Sequence, residues 1–155
     1  MREASRELLA SREDVWRFLA EPYHLADWWP GITGVVPDRR GFASGARWEV
    51  ARTEGRLSGF GWSGSRVPAT LLVGEVSLYE QWSWRLVSRG RSIKAFGPIE
   101  AAIRLKWVDP GRTLVTVSVD APDSFSRLLW ASRHERTART AVNRLYDLVQ
   151  TAATL

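Results

Sequence analysis

Ser11 to Ile32 reads SREDVWRFLAEPYHLADWWPGI, and this stretch decides the fold. Ser11 offers a hydroxyl to cap a helix. Asp14 stands three positions on, close to a capping box, although Asp replaces the preferred Glu or Gln. Val15, Trp16, Phe18 and Leu19 recur at helical spacing, which predicts a short amphipathic helix over 12–20. Pro22 suits the first turn of a second short helix with Tyr23, Leu25 and Trp28 on its apolar side. Pro30-Gly31 stops it.

Outward from this unit the period changes. Before it, Glu3–Ala10 forms a strand of weak alternation. After it come Ile32–Val36, Ala46–Thr53 with Trp48 and Val50 on one face, and Ala69–Leu78. Glu80–Ser88 alternates cleanly, with Trp82, Trp84 and Leu86 on one side and Gln81, Ser83 and Arg85 on the other. Ile93–Val108, bent at Gly97-Pro98, places Ile99, Ala101, Ile103, Leu105 and Trp107 together. Thr113–Val119 points Val115, Val117 and Val119 inward. Pro122-Asp123-Ser124 opens a helix that reaches Thr151 with no Gly or Pro to break it. Short turns between successive strands predict an antiparallel meander, whose apolar face the long helix must cover.

Composition narrows the class. A chain of 155 residues suffices for a single domain with a real core, here 1–155. No apolar run approaches the ~18–20 residues of a membrane span, and the charged start MREASRELLA lacks a signal peptide's apolar region. A cytoplasmic protein is expected. Without Cys there are no disulfides, thiolate metal sites or Cys nucleophiles. The net charge is +5, and nearly all of the cations are Arg. Nine Trp are far more than a small core needs, and each indole N–H wants a partner when buried, so wide spaces between layers are expected.

The order strand, two short helices, further strands and long helix resembles the helix-grip fold of the START-like (SRPBCC) superfamily. That superfamily includes the Bet v 1-like proteins and the bacterial polyketide cyclase/dehydrase and lipid-transport branch. The resemblance is carried by Ala10–Val35, ASREDVWRFLAEPYHLADWWPGITGV, with Val15, Trp16, Leu19, Pro22, Leu25, Trp28 and Pro30 at the recurring positions. Gly45 before a strand, the alternation of Gln81–Val87 and the helical RTARTAVNRLYDLV support it. It implies an α+β fold: a curved antiparallel sheet of about seven strands gripping the C-terminal helix, with an elongated cavity between them. Such domains bind sterols, lipids, polyketides, hormones or quinones. The polar pocket positions of the aromatase/cyclases find no one-to-one match here.

An unfilled cavity costs roughly 24 cal/mol per Å³, so a fold that keeps one uses it. Its expected lining is Trp48, Trp82, Trp84, Ile103, Leu105 and Trp107 from the strands, and Trp130, His134, Ala138 and Ala141 from the helix. Trp28 and Trp29 would stand at its mouth, or simply plug it. Phe60 and Trp62, between glycines in Glu54–Ser65, form either a mobile gate or an irregular hairpin. No catalytic residue is identified. His134, Tyr79, Arg52 and Arg66 are the side chains an acid–base reaction would draw on, and a water-satisfied His134 is the plainer alternative.

The leading expectation is therefore binding of a hydrophobic or aromatic small molecule. A polyketide-type aromatase/cyclase or dehydratase in the same cavity is the first alternative, and a protein-interaction module of the same fold the second. No cofactor and no metal are expected, since only two His occur and no ligand spacing is present. Arg127, Arg133, Arg136, Arg139 and Arg144 are interrupted by acids, which argues against nucleic acid. A homodimer is compatible with everything above.

Overall fold

The computed structural model describes the backbone of residues 1–58, 61–88, 98–120 and 124–154, and the side chains of 1–53, 67–87, 98–120 and 134–150. Strand β1 is Arg2–Leu8; α1 is Arg12–Leu19; a 3-10 turn, Pro22–His24, leads into α2, Leu25–Trp28. The strands β2 Ile32–Val36, β3 Arg47–Ser58, β4 Gly61–Ser77, β5 Gln81–Ser88, β6 Ile99–Asp109 and β7 Arg112–Asp120 follow, and α3 is Ser124–Thr154.

The seven strands form one antiparallel sheet in the order β1-β7-β6-β5-β4-β3-β2. The meander runs from β2 back to β7, and β1 closes onto β7. The chain must therefore travel from one edge of the sheet to the other between Leu8 and Ile32. Six strand spacings of about 4.8 Å make that roughly 29 Å if the sheet were flat. The two short helices cover this span, and in doing so they cap one end of the curved sheet. With α3 against the sheet, this is an α+β helix-grip architecture.

Local chemistry explains the crossing. The Ser11 hydroxyl accepts from the Asp14 N–H at 3.2 Å, so one half of the capping box is made. The other half is not observed. The Asp14 carboxylate, one methylene shorter than Glu, instead faces Arg17 at 3.5 Å. Glu21 accepts from the Tyr23 N–H, and Pro22 opens the 3-10 turn. Gly31 then takes φ +85°, and its carbonyl accepts from the Thr53 N–H at 2.7 Å. A side chain at that φ would be strained, which is why Gly follows Pro30 where the crossing docks on β3.

Several boundaries differ from expectation. The first strand ends at Leu8, and Ala10 lies in the link, where its carbonyl accepts the buried Thr113 hydroxyl at 2.9 Å. Of the two readings of 54–65, the hairpin is the one found: β3 and β4 pair residue for residue out to Ser58↔Gly61. Residues 93–97, including the expected bend, lie outside the described residues. The helix runs to Thr154, three residues further than expected.

The core lies on one face of the sheet. Trp48 and Val50, Leu71 and Val73, Trp82, Trp84 and Leu86, Ala101, Ile103 and Leu105, and Val115, Val117 and Val119 are buried, as period-two alternation requires. Helix α3 packs on β1, β7 and α2. It offers them His134, Ala138, Ala141, Val142, Leu145 and Val149, a stripe at helical spacing. Arg6, in phase with Ala4 and Leu8 on the helix-facing side of β1, fastens the helix. Its guanidinium donates to Asn143 Oδ1 at 2.9 Å and lies 3.6 Å from the centre of the Tyr146 ring.

Candidate functional site

The short helices and the middle strands enclose a continuous aromatic layer. Trp82 and Trp84 of β5 lie 4.4 Å apart between ring centres. Trp28, at the end of α2, meets them edge-on at 6.4 and 5.9 Å, and Trp29 stands 5.0 Å from Trp84. Trp48 of β3 is 5.6 Å from Trp82. Most of these contacts are edge-to-face or tilted, the arrangements that ring quadrupoles favour. Trp28, Trp48 and Trp82 are 0% exposed.

Two members of the layer were not anticipated as site residues. Phe42 lies in the link between β2 and β3, yet its ring is 4.7 Å from Trp82 and 5.4 Å from Trp16 of α1. Trp16 was legible as the inner side of α1, but no sequence spacing connects it to Phe42. What brings Phe42 in is a carboxylate. Asp38 accepts from the N–H groups of Arg47 at 2.9 Å, Arg40 at 3.0 Å and Gly41 at 3.2 Å. That turn presents the Gly41 carbonyl to the Trp48 indole N–H at 2.8 Å.

The Asp38 carboxyl is held below the usual carboxylate range. The Arg47 N–H is the main cause, and the Arg40 and Gly41 N–H groups and the Arg40 charge add to it against a partial loss of hydration. A depressed folded-state pKa contributes stability that is present above the unfolded pKa and is lost as pH falls through the folded one. The Trp48–Gly41 hydrogen bond is therefore expected to hold through neutral pH and to loosen only below the usual carboxylate range. Asp38→Asn should loosen it at every pH. The check is the Trp48 indole N–H resonance against pH; a titration near neutrality would contradict the assignment.

The expected polar candidates separate. Arg52 is 8% exposed on the inner side of β3, two residues beyond Val50, and is paired with Ile32 and Val67 in the ladder. His134 is 7% exposed on the inner stripe of α3, four residues before Ala138. Tyr79 lies in the β4–β5 turn, at the rim of the aromatic layer. It is half-buried, 6.3 Å from Trp16, and has φ 63°, the one non-glycine positive φ among the described residues. Arg66, Trp62 and Trp130 lie outside the described side chains.

Trp107 corrects the expected lining. It keeps the parity of Ile103 and Leu105 but is 55% exposed. The strand outruns its cover: Trp107 pairs with Thr113, whose hydroxyl is already capped by the Ala10 carbonyl, and the ladder becomes irregular before Asp109. The indole ends in an outer groove of about 460 Å³ with Arg12, Glu80, Arg104 and Lys106. A second groove of about 390 Å³ is lined by Leu72, Gly74, Ser83, Arg85 and Ala102, again mostly residues of the solvent side. Ile103, Leu105, Ala138 and Ala141 lie in the same buried core as the aromatic layer. No group of three His, Asp or Glu able to hold a metal ion occurs among the described residues.

No family model matches the chain, and neither does any curated protein. Solved structures match in fold. A protein from Arthrobacter aurescens aligns with a TM-score of 0.73 at 16% identity, over 96% of this chain and 85% of that one. A Nitrosomonas europaea protein aligns with a TM-score of 0.66 at 18% identity, over 99% and 96%. DynU16, from the dynemicin biosynthetic locus, aligns with a TM-score of 0.67 at 16% identity, over 97% of this chain and 47% of its own length. At such identities the likeness carries the fold alone. Among the described residues no helix is long and apolar enough to cross a membrane.

Proposed function

We propose that this chain binds a hydrophobic or aromatic small molecule, of lipid or polyketide type, between the sheet and α3. The observation that carries the proposal is the aromatic layer of Trp28, Trp29, Trp48, Trp82 and Trp84. Aliphatic side chains would close a core of this size with less surface, whereas a wall of indoles meeting edge-to-face and tilted offers an aromatic ligand both ring faces and ring edges to pack on. The helix-grip architecture, with a sheet facing one long helix, supports a binding role of this kind.

In this reading the chain works as one domain, in the cytoplasm, on a free small molecule and not on nucleic acid. Arg136, Arg139 and Arg144 are interleaved with Glu135 and Asp147, and Arg139 is paired with Glu135 at 3.2 Å. Arg104 and Arg112 are likewise paired with Glu3 and Glu7. The cyclase or dehydratase alternative rests on Arg52 and His134, the two basic side chains that are buried among the described residues. In that case Arg52 would polarise a ligand carbonyl and His134 would move a proton.

Titration with fatty acids, flavonoids and aromatic polyketides, followed by intrinsic Trp fluorescence, is expected to show saturable quenching for at least one class. A flat response across the whole panel would remove the binding reading. Turnover lost in Arg52→Met or His134→Gln with binding retained would establish the enzymatic one.

A further inference from the structure

Three tryptophans of the aromatic layer are completely enclosed, and their N–H groups fare differently. Trp48 donates to the Gly41 carbonyl at 2.8 Å. Among the described residues, the Nε1 atoms of Trp28 and Trp82 are buried with no hydrogen-bond partner. Buried polar groups in folded proteins nearly always find a partner. Here two donors lack one within a single cluster, on rings whose centres are 6.4 Å apart. A phenyl ring would pack without an N–H to satisfy, so the pair makes chemical sense if the acceptor comes from outside the chain.

We propose that the Trp28 and Trp82 indole N–H groups are the specificity-determining donors of the site, and that they select a ligand carrying an oxygen acceptor, such as a ketone, on an apolar planar body. The inference rests on the small-molecule reading above and deepens it. In the ligand-free chain the rings close on one another. The way in is past Phe42, which is half-buried, lies 4.7 Å from Trp82 and is carried on a link instead of a strand. An incoming carbonyl gives the two donors an acceptor that the closed layer does not offer them. A hydrocarbon of the same shape opens the layer without that return.

Fluorenone and fluorene form the test pair, since they differ only in a carbonyl replacing a methylene. Their affinities are measured by displacement of 8-anilinonaphthalene-1-sulfonate from the full chain. Wild type is expected to prefer fluorenone by about tenfold, the size of one net hydrogen bond. The double variant Trp28→Phe/Trp82→Phe should bring the ratio close to one, whatever the change in its affinity for either compound. In the 15N-labelled wild type, the indole N–H signals of Trp28 and Trp82, assigned from the single Phe variants, should move downfield with fluorenone and not with fluorene. This measurement needs no variant to stay fully stable, only folded enough to assign. Equal affinities in wild type, or a preference that survives the double variant, would overturn the proposal and leave the binding reading intact. So would indole signals that stay still, the result expected if a buried water or a neighbouring ring face already holds the N–H groups. If neither probe displaces the dye, the proposal falls, and the Trp-fluorescence panel above decides the binding reading separately.

Discussion

Trp48→Ala is expected to cost about 4–5 kcal/mol of folding stability, at the upper end of the range for removing a buried Trp. The side chain is 0% exposed and packs on Phe42 and Trp82 at 6.4 and 5.6 Å. Its loss leaves a cavity in the aromatic layer and also strips the Gly41 carbonyl of its donor, which adds about 1 kcal/mol. Trp82→Ala removes the same volume from the same layer, but its N–H has no acceptor to lose. It should therefore cost less than Trp48→Ala by about 1–2 kcal/mol. Urea denaturation of the two variants side by side measures the difference. Equal costs, or the reverse order, would show that the Trp82 N–H is satisfied in the folded chain. Since domains of this size are stable by only about 5–15 kcal/mol, Trp48→Ala should lie near the limit of folding.

Leu145→Asp should abolish the native fold. Leu145 is 0% exposed at the centre of the stripe by which α3 meets the sheet. The substitution loses about 2–5 kcal/mol of packing and places a carboxylate in an apolar layer, at a further cost of several kcal/mol. Together these reach the whole stability of an ordinary domain. Arg144→Asp, one residue away on the exposed side, should stay within about 0.5 kcal/mol of wild type. Circular dichroism melts distinguish them. A cooperative Leu145→Asp melt near the wild-type temperature would mean that α3 is not held by this stripe.

Most of the architecture was legible because it depends on periods. The change from helical spacing to alternation after Ile32, and the return to an unbroken helix after Pro122, follow from which positions one face of a helix or strand can bury. Ile32–Val36 begins and ends where expected. The places that differed are those where a neighbour decides. Trp107 keeps perfect alternation, but burial also needs a covering layer, and the link at Ala10 covers Thr113 instead. The first strand stops at Leu8 and not at Ala10, whose carbonyl is taken by the Thr113 hydroxyl.

The candidate site was legible in its components more than in its assembly. Trp48, Trp82 and Trp84 were expected on the inner surface and Trp28 and Trp29 at a cavity mouth or as a plug; all five are buried and meet in one layer. Phe42 was invisible as a member, because its position depends on the Asp38 carboxylate gathering three N–H groups around the link before β3. Arg52 and Tyr79 looked equivalent as polar candidates. Only the three-dimensional arrangement sends Arg52 inside and leaves Tyr79 at the turn beside Trp16.

By itself, then, the sequence determined which segments are helix or strand and which face of each is apolar, through local spacing and the caps and breaks of Ser11–Ile32. Tertiary structure decided what no local pattern encodes: that this stretch spans the sheet from β1 to β2, that it closes an aromatic layer together with Phe42, and which indoles find an acceptor. A hydrogen-bond partner is a matter of distance and angle between segments remote in the chain. Trp48 meets the Gly41 carbonyl, while Trp28 and Trp82 are enclosed without an acceptor among the described residues.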